Sequence, residues 1–131
     1  MTNPLAFIID DDKQIADFFA FTLQSADYET TTAYDGASAL QKLQTIAPHL
    51  ITLDMYLPDM FGGDILHQIR QDPRLERTWV IVATGEGKTL EKSIQAQADF
   101  VLTKPIDYDQ IYRVCQRLRT QRRKTGKTGP L

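Results

Sequence analysis

The chain carries a single cysteine, Cys115, among 131 residues, so it cannot close an internal disulfide and suits a reducing compartment. No stretch approaches the roughly 18 consecutive apolar residues of a membrane span, and no basic-then-apolar leader opens the chain. A cytoplasmic protein with no membrane insertion is the expectation. There is no internal repeat, and the only low-complexity block is the terminal KTGKTGPL, which is expected to fray. Acidic residues are missing from the end: all 17 lie at or before Asp109. Six basic residues (Arg117, Arg119, Arg122, Arg123, Lys124 and Lys127) follow Cys115, so residues 1–116 carry a formal charge of −8 and the remainder +6. Cations at the end of a last helix complement its dipole. The run is read that way, and nucleic acid is not expected as a partner. The expected organisation is one domain over 1–120 and a basic, disordered tail over 121–131.

What is present fits one hydrophobic core: 42% of residues are apolar and 24% charged. Five short runs, AFII (6–9), TTTAY (30–34), LITL (50–53), WVIVA (79–83) and DFVLT (99–103), punctuate the sequence. Most are nearly continuous in apolar character, as strands covered on both faces are. Helical spacing lies between them: Ile15, Phe18, Phe19, Thr22 and Leu23; then Leu40, Leu43 and Ala47; then Ile65, Leu66 and Ile69. Leu90 and Ile94 mark a short fourth helix; Ile111, Val114, Cys115 and Leu118 mark the last. Turn signals fall at Asp35-Gly36, Pro48, Pro58, Gly62-Gly63, Asp72-Pro73 and Gly85. Five strands alternating with five helices predict an α/β fold, a doubly wound five-stranded parallel sheet with right-handed crossovers. Such sheets place their sites at the carboxyl ends of the strands.

The residues just past those ends are therefore the candidates. AFII is followed by Asp10, Asp11 and Asp12, LITL by Asp54, WVIVA by Thr84, and DFVLT by Lys104-Pro105. Crowded carboxylates repel one another and make sense around a bound cation; oxygen ligands suit a hard ion such as Mg²⁺. Lys104 adds a point charge able to hold a phosphate or pair with Asp54, and the Thr84 hydroxyl can donate to an anion. A metal, a lysine and a hydroxyl around one carboxylate are what phosphoryl transfer to that carboxylate requires. Taken singly, each residue has a plainer reading. Asp10–Asp12 precede a helix and could cap it, Asp54 could sit in a turn, Thr84 could cap the fourth helix, and Lys104-Pro105 could be a turn. Their placement after successive strands, in order, is what favours a site.

Through IIDDDKQI, LDMYLPDMFGG, VATG and LTKP the sequence resembles the response-regulator receiver domain of two-component signalling, over residues 5 to about 120. The resemblance implies a flavodoxin-like strand order of 2-1-3-4-5. It implies a signalling module rather than an enzyme, with Asp54 as phosphoacceptor for a sensor histidine kinase or histidine phosphotransfer protein. It implies Mg²⁺ held by Asp10, Asp11, Asp54 and the backbone carbonyl of Tyr56, with Asp12 left to cap the first helix. Thr84 and Lys104 would bind the phosphoryl group and switch, and the Lys104–Pro105 peptide would be cis. Tyr56 and Glu86 occupy positions that tune phosphoryl lifetime in the family. A monomer or weak dimer is expected.

Three departures accompany the match. The aromatic residue usual three positions before the lysine is Val101, and strand alternation points neighbouring Phe100 to the opposite face. The glycine of the usual Gly-Ala-Asp turn is Gln97. The Thr84-to-Lys104 segment is short, so a short or displaced fourth helix is expected. All three fall on the face that passes the signal on. They keep open an alternative, a pseudo-receiver that binds partners without being phosphorylated. An aspartyl-phosphate phosphohydrolase would want a second aspartate two residues after the nucleophile, where this chain has Tyr56.

Overall fold

A computed structural model describes residues 2–85 and 89–124. The elements alternate as expected: β1 (Leu5–Ile9), α1 (Lys13–Ser25), β2 (Glu29–Ala33), α2 (Gly36–Leu43), β3 (Leu50–Asp54), α3 (Gly62–Gln71), β4 (Trp79–Thr84), α4 (Lys92–Gln97), β5 (Phe100–Thr103) and α5 (Tyr108–Leu118). All neighbouring strands pair in parallel, in the order β2-β1-β3-β4-β5. The order reverses between β1 and β3, which opens a crevice at the carboxyl rim.

Alternation along the central strands divides the core into two layers. Phe7, Ile9, Ile51, Leu53, Val80 and Val82 pack against α2, α3 and α4, while Ala6, Ile8, Leu50, Ile81, Ala83 and Leu102 pack against α1 and α5. Each fully buried Leu, Ile or Phe contributes roughly 1.5–3 kcal/mol, so the central strands are where most of the fold's stability resides. Phe100 joins the α1–α5 layer, whereas Val101 points to the other face and stays 41% exposed. The fourth helix, α4, is only six residues long. Leu90 is buried just ahead of that helix rather than within it.

Local chemistry explains the helix ends. Asp12 caps α1, its carboxylate accepting from the amides of Gln14 (2.9 Å) and Ile15 (3.3 Å). The helix closes through Asp27 at φ 66°, with the Asp27 amide donating to Gln24 and that of Tyr28 to Leu23. Two of the sequence's turn signals open helices instead: Gly36 starts α2, and Gly62-Gly63 start α3. Gly62 is there because the chain passes too close to β3 for a side chain; a Cβ would stand 2.3 Å from the Asp54 carbonyl oxygen. Asp72-Pro73 opens a single 3₁₀ turn over Pro73–Leu75.

The carboxyl-terminal boundary differs from the sequence reading. Residues 121–124, assigned to the disordered tail, are held against the base of the sheet. The Trp79 indole donates to the Gln121 carbonyl at 2.9 Å, and Arg123 is buried on Asp99 at 2.8 Å. Asp99 binds Arg70 as well, also at 2.8 Å, and accepts from the Val80 amide, so one buried carboxylate joins α3, β4 and the segment after α5. The arginine read as part of a solvated charge run is thus a partner for a buried acid. Residues 125–131 lie outside the described residues.

Candidate functional site

Parallel register carries four strand ends to one rim. Ile9 lies level with Leu53, Leu53 with Val82, and Val82 with Val101, so Asp10, Asp54, Thr84 and Lys104 leave their strands on the same edge. Asp54 and Thr84 are the last residues of β3 and β4 rather than the first beyond them. A 2.8 Å bond from the Lys104 amide to the Thr84 carbonyl joins β4 and β5 at that edge, and the Lys104–Pro105 peptide is cis.

Three carboxylates and one amine converge there. Oxygens of Asp10, Asp11 and Asp54 lie within 4.8 Å of one another, with Asp10 and Asp54 buried and Asp11 exposed. The Lys104 ammonium sits 3.3 Å from Asp10 and 3.4 Å from Asp54. Asp10 also accepts the Asp12 amide at 3.0 Å, and Asp54 the Tyr56 amide at 3.4 Å. Burial is the main influence on both buried acids and raises both carboxyls above the ordinary range. Asp54 is pushed up to about 6, first by burial and then by the charge of Asp10, with Lys104 and the Tyr56 amide pulling the other way. One lysine does not neutralise three acids. An additional cation would relieve this repulsion, and the all-oxygen donor set fits Mg²⁺.

The loop after β3 supplies a further donor. Met55 and Gly62 pair at 2.6 Å and Leu57 and Met60 at 3.3 Å, bracketing the Tyr56–Phe61 bridge. In such a pair the backbone groups of the facing residues turn outward. The Tyr56 amide and carbonyl therefore face away from Phe61, toward the side on which the amide meets Asp54. The Tyr56 ring is half exposed and lies 5.7 Å from that of Phe61.

Thr84 contributes a buried hydroxyl whose oxygen has no hydrogen-bond partner among the described residues. Such an orphan costs about 1–3 kcal/mol, and this hydroxyl is left free to donate to an anion at the rim. Thr52, two residues before Asp54, has a similarly unpartnered hydroxyl for which the structure offers no explanation. Glu86 lies outside the described residues.

Two residues not singled out as site residues in the sequence shape the site. Gly62 lets α3 start against the end of β3. Asp59, at the tip of the β3–α3 loop, binds the Gly36 and Ala37 amides of α2 at 2.7 and 2.9 Å. An aspartate after a proline reads as a turn residue, and nothing local shows partners more than 20 positions upstream.

Comparison with known proteins agrees with this architecture. A family model described as the response regulator receiver domain matches residues 6–116. The chain is 32% identical over 124 residues to a probable transcriptional regulatory protein, TcrX, of Mycobacterium tuberculosis, covering 92% of this chain and 50% of the relative. It is 31% identical over 103 residues to the alkaline phosphatase synthesis transcriptional regulatory protein PhoP of Bacillus subtilis, covering 79% of this chain and 43% of that protein. The chain thus spans about half the length of the curated relatives it matches. Among solved structures, the chemotaxis response regulator CheY4 of Vibrio cholerae superposes with a TM-score of 0.79 at 28% identity, over 89% of this chain and 99% of that one. A Francisella response regulator receiver domain gives 0.79 at 29% identity, over 91% and 98%.

Proposed function

The chain belongs to the response regulator receiver domain family, and from that premise we propose that Asp54 accepts a phosphoryl group from a sensor histidine kinase or a histidine phosphotransfer protein. The observation that best supports this is the Lys104 ammonium set between Asp10 and Asp54, within a cluster of three carboxylates. In the reaction an Asp54 carboxylate oxygen bonds to phosphorus as the P–N bond to the donor histidine breaks, and the electron pair of that bond returns to the imidazole. Asp10, Asp11, Asp54 and the Tyr56 carbonyl would hold Mg²⁺. When bound, the ion neutralises charge on the phosphoryl oxygens.

Lys104 exchanges its contact with Asp54 for one with a phosphoryl oxygen, and the Thr84 hydroxyl donates to another. Phosphorylation thereby gives the orphaned hydroxyl its partner, and the backbone at Gly85 follows Thr84. With Val101 in place of an aromatic, this backbone route carries the change toward α4. Tyr56 and Glu86 set how quickly water reaches the acyl phosphate. The protein works in the cytoplasm as a monomer or weak dimer, and its output is a change in binding to a protein partner.

The test is intact-protein mass after incubation with a small acyl-phosphate donor, with and without Mg²⁺, beside Asp54→Ala. A single phosphoryl increment is expected that requires Mg²⁺ and is lost in the variant. If neither a small donor nor a phosphorylated histidine donor adds mass, the reading fails and the pseudo-receiver alternative replaces it.

A further inference from the structure

The β3–α3 loop is narrow at its base, and its tip rests on the start of α2. Its base is the paired backbone of Met55 with Gly62 and Leu57 with Met60; its tip is Pro58-Asp59. From that tip Asp59 uses both carboxylate oxygens, Oδ1 accepting the Gly36 amide at 2.7 Å and Oδ2 the Ala37 amide at 2.9 Å. These are the first two amides of the eight-residue α2, where a negative charge also meets the positive end of the helix dipole. The helix already has an ordinary local cap: Asp35 accepts the Ser38 amide at 2.7 Å. Asp59 is thus a second, tertiary cap, supplied from 23 residues away.

Packing supports the same contact. Gly36 has no side chain where the loop rests on it, and a Cβ there would lie 2.2 Å from Met60 Cγ. Met60 in turn packs against the α2–α4 core layer. Charge on one side and van der Waals contact on the other fix the loop tip on α2. The same loop carries Tyr56, whose amide binds Asp54.

We propose that Asp59 is a positioning residue for the cation site, clamping the β3–α3 loop onto α2 so that the Tyr56 carbonyl is held in register with the carboxylates of Asp10, Asp11 and Asp54. The proposal rests on the reading of those four residues as the Mg²⁺ site. It differs from a purely structural role in what it couples: cation binding and the α2 amides become linked through one side chain.

The test is titration of the full chain with MgCl₂ alone, by calorimetry and by amide NMR. In the wild type, Mg²⁺ is expected to shift the Gly36 and Ala37 amide resonances as well as those of Asp11 and Tyr56. Asp59→Ala is expected to raise the Mg²⁺ dissociation constant about three- to tenfold and to uncouple the Gly36 and Ala37 resonances from the titration. Asp59→Asn keeps one accepting oxygen and should fall between the two; it carries the comparison where the alanine variant does not fold. A folded Asp59 variant with wild-type affinity, or a wild type whose α2 amides ignore Mg²⁺, overturns the clamp. Failure of the wild type to bind Mg²⁺ overturns the metal reading itself, and the clamp with it, whereas loss of binding in Asp11→Ala alongside an unaffected Asp59→Ala overturns the clamp alone.

Discussion

Asp54 is buried beside another carboxylate, and the fold bears the cost of keeping it ionised. Its carboxyl is pushed up to about 6 from the ordinary 3.8, chiefly by burial. Between those values the folded chain holds a proton that the unfolded chain has lost, so this residue's contribution to stability falls as pH rises from about 4 to about 6. Asp54→Asn is therefore expected to match the wild type below pH 4 in Mg²⁺-free urea unfolding. At pH 7 it should exceed it by about 1–2 kcal/mol. Saturating Mg²⁺ should remove the advantage; a variant no more stable at neutral pH would contradict this electrostatic account. A second residue, Asp27, adopts a left-handed conformation at φ 66° where α1 ends. Asp27→Gly should raise the free energy of urea unfolding by about 0.5–1 kcal/mol, because glycine adopts that conformation without a Cβ penalty. That the candidate residues would gather at one rim was readable because each stands at the end of its own strand. Asp59 and Asp27 were not, because a hydrogen bond to a distant amide and a positive φ leave no mark on sequence periodicity.

At the scale of elements, the β3–α3 junction is the tightest point near the site. The Gly62 amide donates to Met55 at 2.6 Å, and a Cβ on Gly62 would approach the Asp54 carbonyl oxygen to 2.3 Å and the Met55 Cα to 2.7 Å. Backbone on both counts cannot swing aside, so Gly62→Ala is expected to cost about 1–3 kcal/mol in urea unfolding and to displace the end of β3. Its phosphoryl-accepting rate should fall with it; a variant of unchanged stability would show that α3 moves freely against β3. The sequence suggested a turn at Gly62-Gly63 because glycine most often marks one. Here the same residue permits close approach inside a helix start, a distinction that only the packing shows. The fourth helix was foreseeable as short from the length of its segment.

Across the whole molecule, the candidate site sits at the carboxyl rim of the sheet and the segment just after α5 is tied at the opposite edge. Arg70 and Arg123 both bind the buried Asp99, and their remaining donors reach the Thr78, Gln97 and Glu76 carbonyls. Removing the shared acid would leave two buried guanidinium groups without their anion. Asp99→Asn is therefore expected to lower stability by about 3–5 kcal/mol. Arg123→Ala leaves Asp99 its bonds to Arg70 and Val80, and should cost less, about 1–3 kcal/mol. Equal stability of wild type and Arg123→Ala would mean that the chain after α5 is not part of the folded unit. The fold class was legible because strands buried on both faces read as short apolar runs between amphipathic segments, whereas the strand order followed only from the resemblance of the motifs. The burial of Arg123 on Asp99 was not legible. A basic run looks the same whether it is solvated or contains one arginine paired 24 positions back.

The account stands most directly on the chemical identity of the acceptor. After phosphorylation in the presence of Mg²⁺, borohydride reduction converts an aspartyl phosphate to homoserine, which peptide mass mapping locates. Homoserine at position 54 alone, absent when Mg²⁺ is withheld, is the expected result. Homoserine at another aspartate, or none despite a measured phosphoryl increment, would contradict it.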